Sequence, residues 1–426
     1  MTEQQPVPSG ERPAATLPRA PAPLAGVRVI ECSMLGPGAL GTNLADLGAD
    51  VIKVEPPQGD YIRRMTWPFV GDVSLMHLHI SRGKRSVTLD LRTPEGVAIF
   101  KDLVVGADAV IEAMRPGGLA KRGLGFDDLR RINPKIVFGS ISGYGMTGPY
   151  RDMPSHGIAY DTWAGLVKPE VDDEGFCYIP EHPSVGIYAG PLFGALGILA
   201  GIIRARETGE GCQLEIAQSD ASASMDWLRS ETYKAYERPE SEVTGNPTDD
   251  YVRRAPGTAG MRDGVRYQFY ETTDGHVLFM ASEQEFWRNF CEGVGRMELY
   301  ERWPGSQYGD HAKGNREMHV ELRDIFRTKS SAEWIAFGGE HNTPIAAVNT
   351  PRTLAHDPQF VDRLDFIPAS ILGADQLPTP IKFLDDSVPT PTHAPTNGQH
   401  TDEVLGEVLG YDAARIAELR AGGALG

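Results

Sequence analysis

The residues able to do chemistry gather at a few places. Gly36, Gly38 and Gly41 form a Gly-x-Gly-x-x-Gly run, with Glu55 following. Glycines at that spacing between a strand and a helix can cradle a dinucleotide pyrophosphate, with the later acid on a ribose. They serve equally to pack a helix on a sheet, or to turn backbone N–H groups toward another phosphate ligand. Basic residues concentrate in Arg82-Gly-Lys84-Arg85 and in Lys121-Arg122, the latter following Arg115-Pro-Gly117. Such clusters suit a phosphate-rich small ligand, although solvation of the surface accounts for bare charge as well. The four cysteines, Cys32, Cys177, Cys212 and Cys291, make no Cys-x-x-Cys pair. That spacing indicates neither a metal site nor a disulfide framework, and a reducing, cytoplasmic setting follows.

The elements that must position these residues alternate. Strand patterns at Val27–Ile30, Asp50–Val54, Ser86–Asp90, Asp108–Glu112 and Ile136–Ser140 are separated by helical patterns. Thr93-Pro94 reads as an N-cap with proline at the first helical position. The alternation predicts an α/β fold with a parallel, doubly wound sheet, Rossmann-like. Residues 228–265 are polar and turn-rich. From Tyr267 a hairpin is expected around Thr273-Asp-Gly275, then helices to about 338. A Pro- and Thr-rich stretch at 372–399 precedes a charged helix–turn–helix over Thr401–Leu419. The division expected is a leader at 1–23, a large domain at 24–227, a linker and small α+β domain at 228–340, and a return segment at 341–426.

With 41 Lys+Arg against 58 Asp+Glu, the 426-residue chain carries a net charge of −17. That balance argues against nucleic acid or an anionic membrane face as partner. The first 23 residues, rich in proline and lacking an apolar run, read as a disordered leader. Val185 to Ile203 is uncharged and long enough for a membrane span, yet Gly186, Gly190, Gly194, Gly197, Gly201 and Pro191 punctuate it. A buried helix packed through its glycines is the reading taken, with no membrane.

Several ordered motifs carry a family resemblance. Leu47-Gly-Ala-Asp-Val-Ile-Lys-Val-Glu-Pro56, Ser81-Arg-Gly-Lys-Arg-Ser-Val-Thr-Leu-Asp90, Arg115-Pro-Gly117, Ile141-Ser-Gly-Tyr-Gly-Met-Thr-Gly-Pro-Tyr150 and Thr208-Gly-Glu-Gly211 resemble the class III CoA-transferases. That superfamily (the CaiB/BaiF type) includes formyl-CoA transferase, carnitine CoA-transferase and 2-methylacyl-CoA racemase. The resemblance runs from about residue 24 to the C-terminus. It implies an interlocked dimer, coenzyme A or acyl-CoA as substrate with a carboxylic acid partner, and no NAD or metal. By position it places Ala113, Met114, Lys121, Arg122 and Ser142 at the CoA site, and Arg82 and Lys84 join them on charge. Lysine and arginine pair with phosphates, and Met114 can pack on adenine.

The resemblance also implies where the nucleophile belongs. In the transferases an Asp at the glycine-rich helix attacks the thioester, giving an anhydride and then an Asp–CoA thioester. That position here is Ile187, which cannot be a nucleophile. The segment Ser155-His-Gly-Ile-Ala-Tyr160 is similar to the racemase stretch bearing the catalytic His, and Met280–Phe286 to the stretch bearing its Glu partner. His156 and Glu283 are carried over on that basis as a proton-transfer pair. Three readings stay open: a CoA-transferase with a substituted nucleophile, a CoA-ester epimerase, isomerase or lyase using His156 and Glu283, and a silent subunit beside an Asp-bearing paralogue. Trp67, Phe69 and Trp163 suit a bulky apolar acyl group, or core packing.

Overall fold

The computed structural model describes residues 21–65, 67–245, 261–306, 309–384 and 388–426; most of the leader and residues 246–260 of the polar excursion lie outside them. Two compact units emerge, Met1–Met225 with Leu364–Gly426, and Asp226–Arg363.

The first unit is built on six parallel strands: β1 Arg28–Cys32, β2 Asp50–Glu55, β3 Arg85–Thr88, β4 Ala109–Glu112, β5 Val137–Ser142 and β6 Cys212–Ala217. Their order across the sheet is β6-β5-β4-β1-β2-β3. Both faces are covered, so the strands are apolar at successive positions rather than at alternate ones. Ile30, Ile52, Val110 and Phe138 enter one core, and their neighbours Val29, Val51, Ala109 and Val137 enter the other. On the first face lies α3, Pro94–Val105, opened by the Thr93 hydroxyl accepting the Gly96 N–H at 3.0 Å. Two C-terminal helices, Thr401–Leu409 and Ala413–Ala421, close the same core through Val404, Leu405, Ile416 and Leu419.

On the second face lie α1 (Ala39–Ala45) and α6 (Val185–Thr208). The short α2 (Leu75–Ser81), α4 (Phe126–Ile132) and α5 (Gly157–Trp163) sit between strands, and α7 (Gln218–Met225) follows β6. The glycines of α6 permit close approach: a Cβ on Gly194 would meet Leu40 at 2.4 Å, and one on Gly201 would meet Val137 at 2.7 Å. The expectation of a buried helix is corrected to a half-buried one. Tyr188, Leu192, Leu196 and Ile203, spaced along the opposite face, remain exposed. By length and composition α6 could cross a membrane, but half of its apolar window is inside the fold.

The second unit carries the expected hairpin, β7 Tyr267–Glu271 and β8 His276–Met280, antiparallel with Tyr267 opposite Met280. A third strand, Ile345–Ala347, pairs with β8. Its core is aromatic, with Phe279, Trp287, Phe290, Phe326 and Trp334 in ring contact.

Candidate active site

In an open parallel sheet, ligands bind beyond the strand C-termini where the strand order reverses. Here the reversal falls between β1 and β4. A cavity of about 250 Å³ lies at that point, lined by Cys32, Ser33 and Met34 after β1, and by Ala113 and Met114 after β4. Leu89–Arg92 after β3, Glu55 and Pro56 at the end of β2, and Arg122 complete its wall. Of the residues expected at a CoA site, Ala113, Met114 and Arg122 therefore line one cavity. Lys121 precedes Arg122 on the same exposed turn, Ala120–Arg122. Ser142 ends β5, where its hydroxyl accepts the Gly145 N–H at 3.0 Å. Sequence reasoning missed Ser33, Met34 and Leu89–Arg92. Their signal was available, since each stretch directly follows a strand. Arg92 stands largely exposed at the rim, paired with Asp90.

Arg82 and Lys84 are a correction. Each is almost wholly buried and engaged internally. Arg82 makes a two-pronged pair with Asp46 at 2.7 and 3.1 Å. Lys84 Nζ lies 2.8 and 3.0 Å from the two Glu31 oxygens, and 2.6 Å from the Gly38 carbonyl. Buried carboxylates need counterions, and these residues supply them instead of facing a ligand. Burial pulls the Lys84 ammonium down to about 8, against the pull of Glu31. Arg85 pairs with Asp50 at 2.7 Å.

The same ion lattice explains the glycine run. A Cβ on Gly41 would fall 1.7 Å from Glu31 Oε2, so the third glycine makes room for a carboxylate of the protein itself. Glu55, the acid expected to meet a ribose, instead holds Arg63 and the Asp60 N–H, and accepts from Ser86. Burial alone would raise its carboxyl, but the hydrogen bonds from Arg63 and the charge of Lys53 hold it at about 2. Lys53 in turn bonds Asp60 at 2.9 Å.

This lattice fixes the loop leaving β1. Ser33 Oγ donates to Glu31 at 2.6 Å, and the Leu35 N–H donates to Asp60 at 3.3 Å while Leu35 sits at φ 60°. A non-glycine residue at positive φ needs such external support. Cys32, at the cavity wall, is no nucleophile: burial raises its thiol, with Glu112 and Glu31 adding to the effect.

The loop leads from the cavity to Ile187. A Cβ on Gly36 would meet Ile187 Cγ2 at 2.8 Å, and one on Gly157 would meet its Cδ1 at 2.1 Å. Ile187 thus lies in the first turn of α6 between two glycines, one on the loop from β1 and one beside His156. His156 itself is exposed at the N-cap of α5. The structure brings His156 and Ile187 to one place within the first unit. Glu283 is the N-cap of the helix Gln284–Gly293, and is exposed in the second unit.

Beneath the same turn lies a buried carboxyl group. Asp161 is fully buried, and its Oδ1 accepts the Gly186 N–H and the Ser222 hydroxyl, both at 2.8 Å. Its Oδ2 has no hydrogen-bond partner among the described residues.

The chain is similar to known proteins along most of its length. The sequence profile described as CoA-transferase family III matches residues 24–401. The chain is 32% identical to the succinyl-CoA–L-malate CoA-transferase beta subunit of Chloroflexus aurantiacus, over 93% of this chain and 97% of that one. It is 28% identical to the human succinyl-CoA:glutarate CoA-transferase, covering 94% and 89%. It is also 28% identical to the human alpha-methylacyl-CoA racemase, covering 93% and 96%. A crystal structure of a CAIB/BAIF family protein from Brucella suis superposes with a TM-score of 0.73 at 27% identity, over 91% of this chain and 100% of that chain. Fold, switch-point cavity and sequence together assign this chain to CoA-transferase family III.

Proposed function

We propose that this chain acts on acyl-CoA thioesters, nominally moving CoA between carboxylic acids, in a cytoplasmic setting. The observation that carries the reading is the cavity at the reversal of strand order, where Ala113, Met114 and Arg122 meet. Its volume suits one ring system rather than a whole cofactor. In this reading the adenine packs on Met114, while Arg122, Lys121 and the rim residue Arg92 face the phosphates. Ser142 belongs to the same set. The acyl end then runs over Met34 and Gly36 toward Ile187.

At Ile187 the usual acyl–enzyme route has no carboxylate in this chain. Two readings accommodate that. In the first, His156 moves a proton at the α-carbon of the bound thioester, as an epimerase, isomerase or lyase requires, and Glu283 is the second acid–base residue that the family resemblance implies. The packing of Ile187 on Gly157, next to His156, favours it. In the second, this chain pairs with an Asp-bearing paralogue, or acts as a silent subunit of a dimer. The similarity to a beta subunit supports that reading, and the exposed apolar face of α6 offers a surface for an interlocked partner.

Titration of the full-length protein with CoA tests the cavity. Micromolar binding is expected, weakened about tenfold by Arg122→Ala or Met114→Ala, a loss of about 1.4 kcal/mol. Absence of CoA binding to the folded protein sinks the reading. Exchange of the substrate α-proton in deuterated water, lost in His156→Ala, distinguishes proton transfer from the paired-subunit reading.

A further inference from the structure

The surroundings of Ile187 bear on the acyl group, an inference that rests on the acyl-CoA reading above. Met34, on the cavity wall and partly exposed, lies two residues before Gly36, which packs on Ile187. On the other side of Ile187, α5 carries Tyr160 against Gly186, whose Cβ would fall 3.0 Å from that of Tyr160. Tyr144, after β5, gathers the rings around it: Tyr160 at 5.9 Å, Tyr150 at 5.6 Å and Trp163 at 6.4 Å, all edge-on. Tyr150 and Trp163 keep 44% and 48% of their surface exposed, so this aromatic wall is open rather than closed into the core. None of these residues is a cation.

A second carboxylate brought against these rings would lose its hydration with no charged partner among them to replace it. At the nucleophile position Ile187 presents methyl groups.

We infer that this site selects acyl-CoAs whose acyl group is apolar and carries no second carboxylate, unlike the dicarboxylate chemistry in the names of several relatives. Ile187 forms the floor, and the Tyr144–Tyr150–Trp163 rings form the wall. Trp163 and Tyr150 act as specificity-determining residues.

The test is calorimetric titration of the full-length protein with CoA, succinyl-CoA and phenylacetyl-CoA. Phenylacetyl-CoA is expected to bind about tenfold more tightly than succinyl-CoA. Trp163→Ala removes an exposed ring and is expected to erase that preference while CoA affinity holds. Tyr150→Ala removes the other exposed ring and is expected to weaken that preference as well. If CoA binds and succinyl-CoA matches or exceeds phenylacetyl-CoA, the inference is overturned and the cavity reading stands. If Trp163→Ala and Tyr150→Ala both leave the preference intact, the aromatic wall is refuted. If neither CoA nor its esters bind, the cavity reading fails and the inference falls with it.

Discussion

Substituting Gly41→Ala separates the two meanings of the glycine run. The new Cβ would fall 1.7 Å from Glu31 Oε2 and 2.9 Å from its Cδ, well inside van der Waals contact. Glu31 cannot yield without moving roughly 1.5–2 Å, which breaks its bonds to Lys84 at 2.8 and 3.0 Å and to Ser33 at 2.6 Å. Breaking a buried ion pair from one side costs about 3–5 kcal/mol. For a unit of this size each kcal/mol lowers the melting temperature by about 2 °C, so a fall of roughly 6–10 °C is expected. Scanning calorimetry reads the shift. A double-mutant cycle with Glu31→Ala supplies the decisive figure. Removing the Glu31 side chain abolishes the clash, so the two changes must be strongly non-additive, the double variant being more stable than the sum predicts. Additive effects would refute the assignment of Gly41 to a carboxylate of the protein itself. An unchanged melting temperature with lost cofactor affinity would restore the phosphate-cradle reading instead.

The remaining predictions are shorter. Acid stability follows from His77 and Glu55: burial, then the charges of Arg63 and Lys53, pull the His77 imidazole to about 4 from its ordinary 6.5. The unfolded chain therefore takes up that proton first, and stability is full above pH 6.5 and falls between 6.5 and 4. Glu55, held at about 2 against an ordinary 4.5, continues the loss from 4.5 toward 2. Each proton contributes a slope of about 1.4 kcal/mol per pH unit, measurable by urea denaturation across that range; a flat profile from pH 7 to 4 contradicts it. Ile187→Asp is expected to yield a hydroxylamine-sensitive acyl–enzyme adduct detectable by mass spectrometry on incubation with an acyl-CoA, and no adduct at residue 187 means the rest of the transferase site is absent. Thr93→Ala removes the α3 cap and is expected to lower stability by about 1 kcal/mol without altering CoA affinity.

The fold was legible because its signals are local. Buried parallel strands read as short apolar runs, and Thr93-Pro94 announces a helix through side-chain chemistry within three residues. The hairpin turn at Thr273-Asp-Gly275 is equally local, with the Thr272 hydroxyl donating to Asp274 at 3.0 Å. Residues of the cavity were partly legible, since Ala113, Met114 and Arg122 share one loop. What failed was the direction of charge. Arg82-Gly-Lys84-Arg85 has the composition of a phosphate-binding loop. Its partners, Asp46, Glu31 and Asp50, lie roughly 35–55 positions earlier in the chain, and no spacing rule joins them. Gly41 was ambiguous for another reason: the atom it accommodates belongs to Glu31 on the preceding strand, and spacing alone does not tell a buried side chain from a bound phosphate.

Ile187 is accommodated by the residues around it. An isoleucine is larger than an aspartate, and its terminal carbons extend to where side chains on Gly36 and Gly157 would stand. Its position is compatible with the fold because both neighbours are glycines. The first turn of α6 has a carboxyl partner for the Gly186 N–H, supplied from below by Asp161, which also accepts the Ser222 hydroxyl at 2.8 Å. The turn is therefore filled above by Ile187 and held below by Asp161, so Ile187→Asp changes the upper surface without removing the support beneath it.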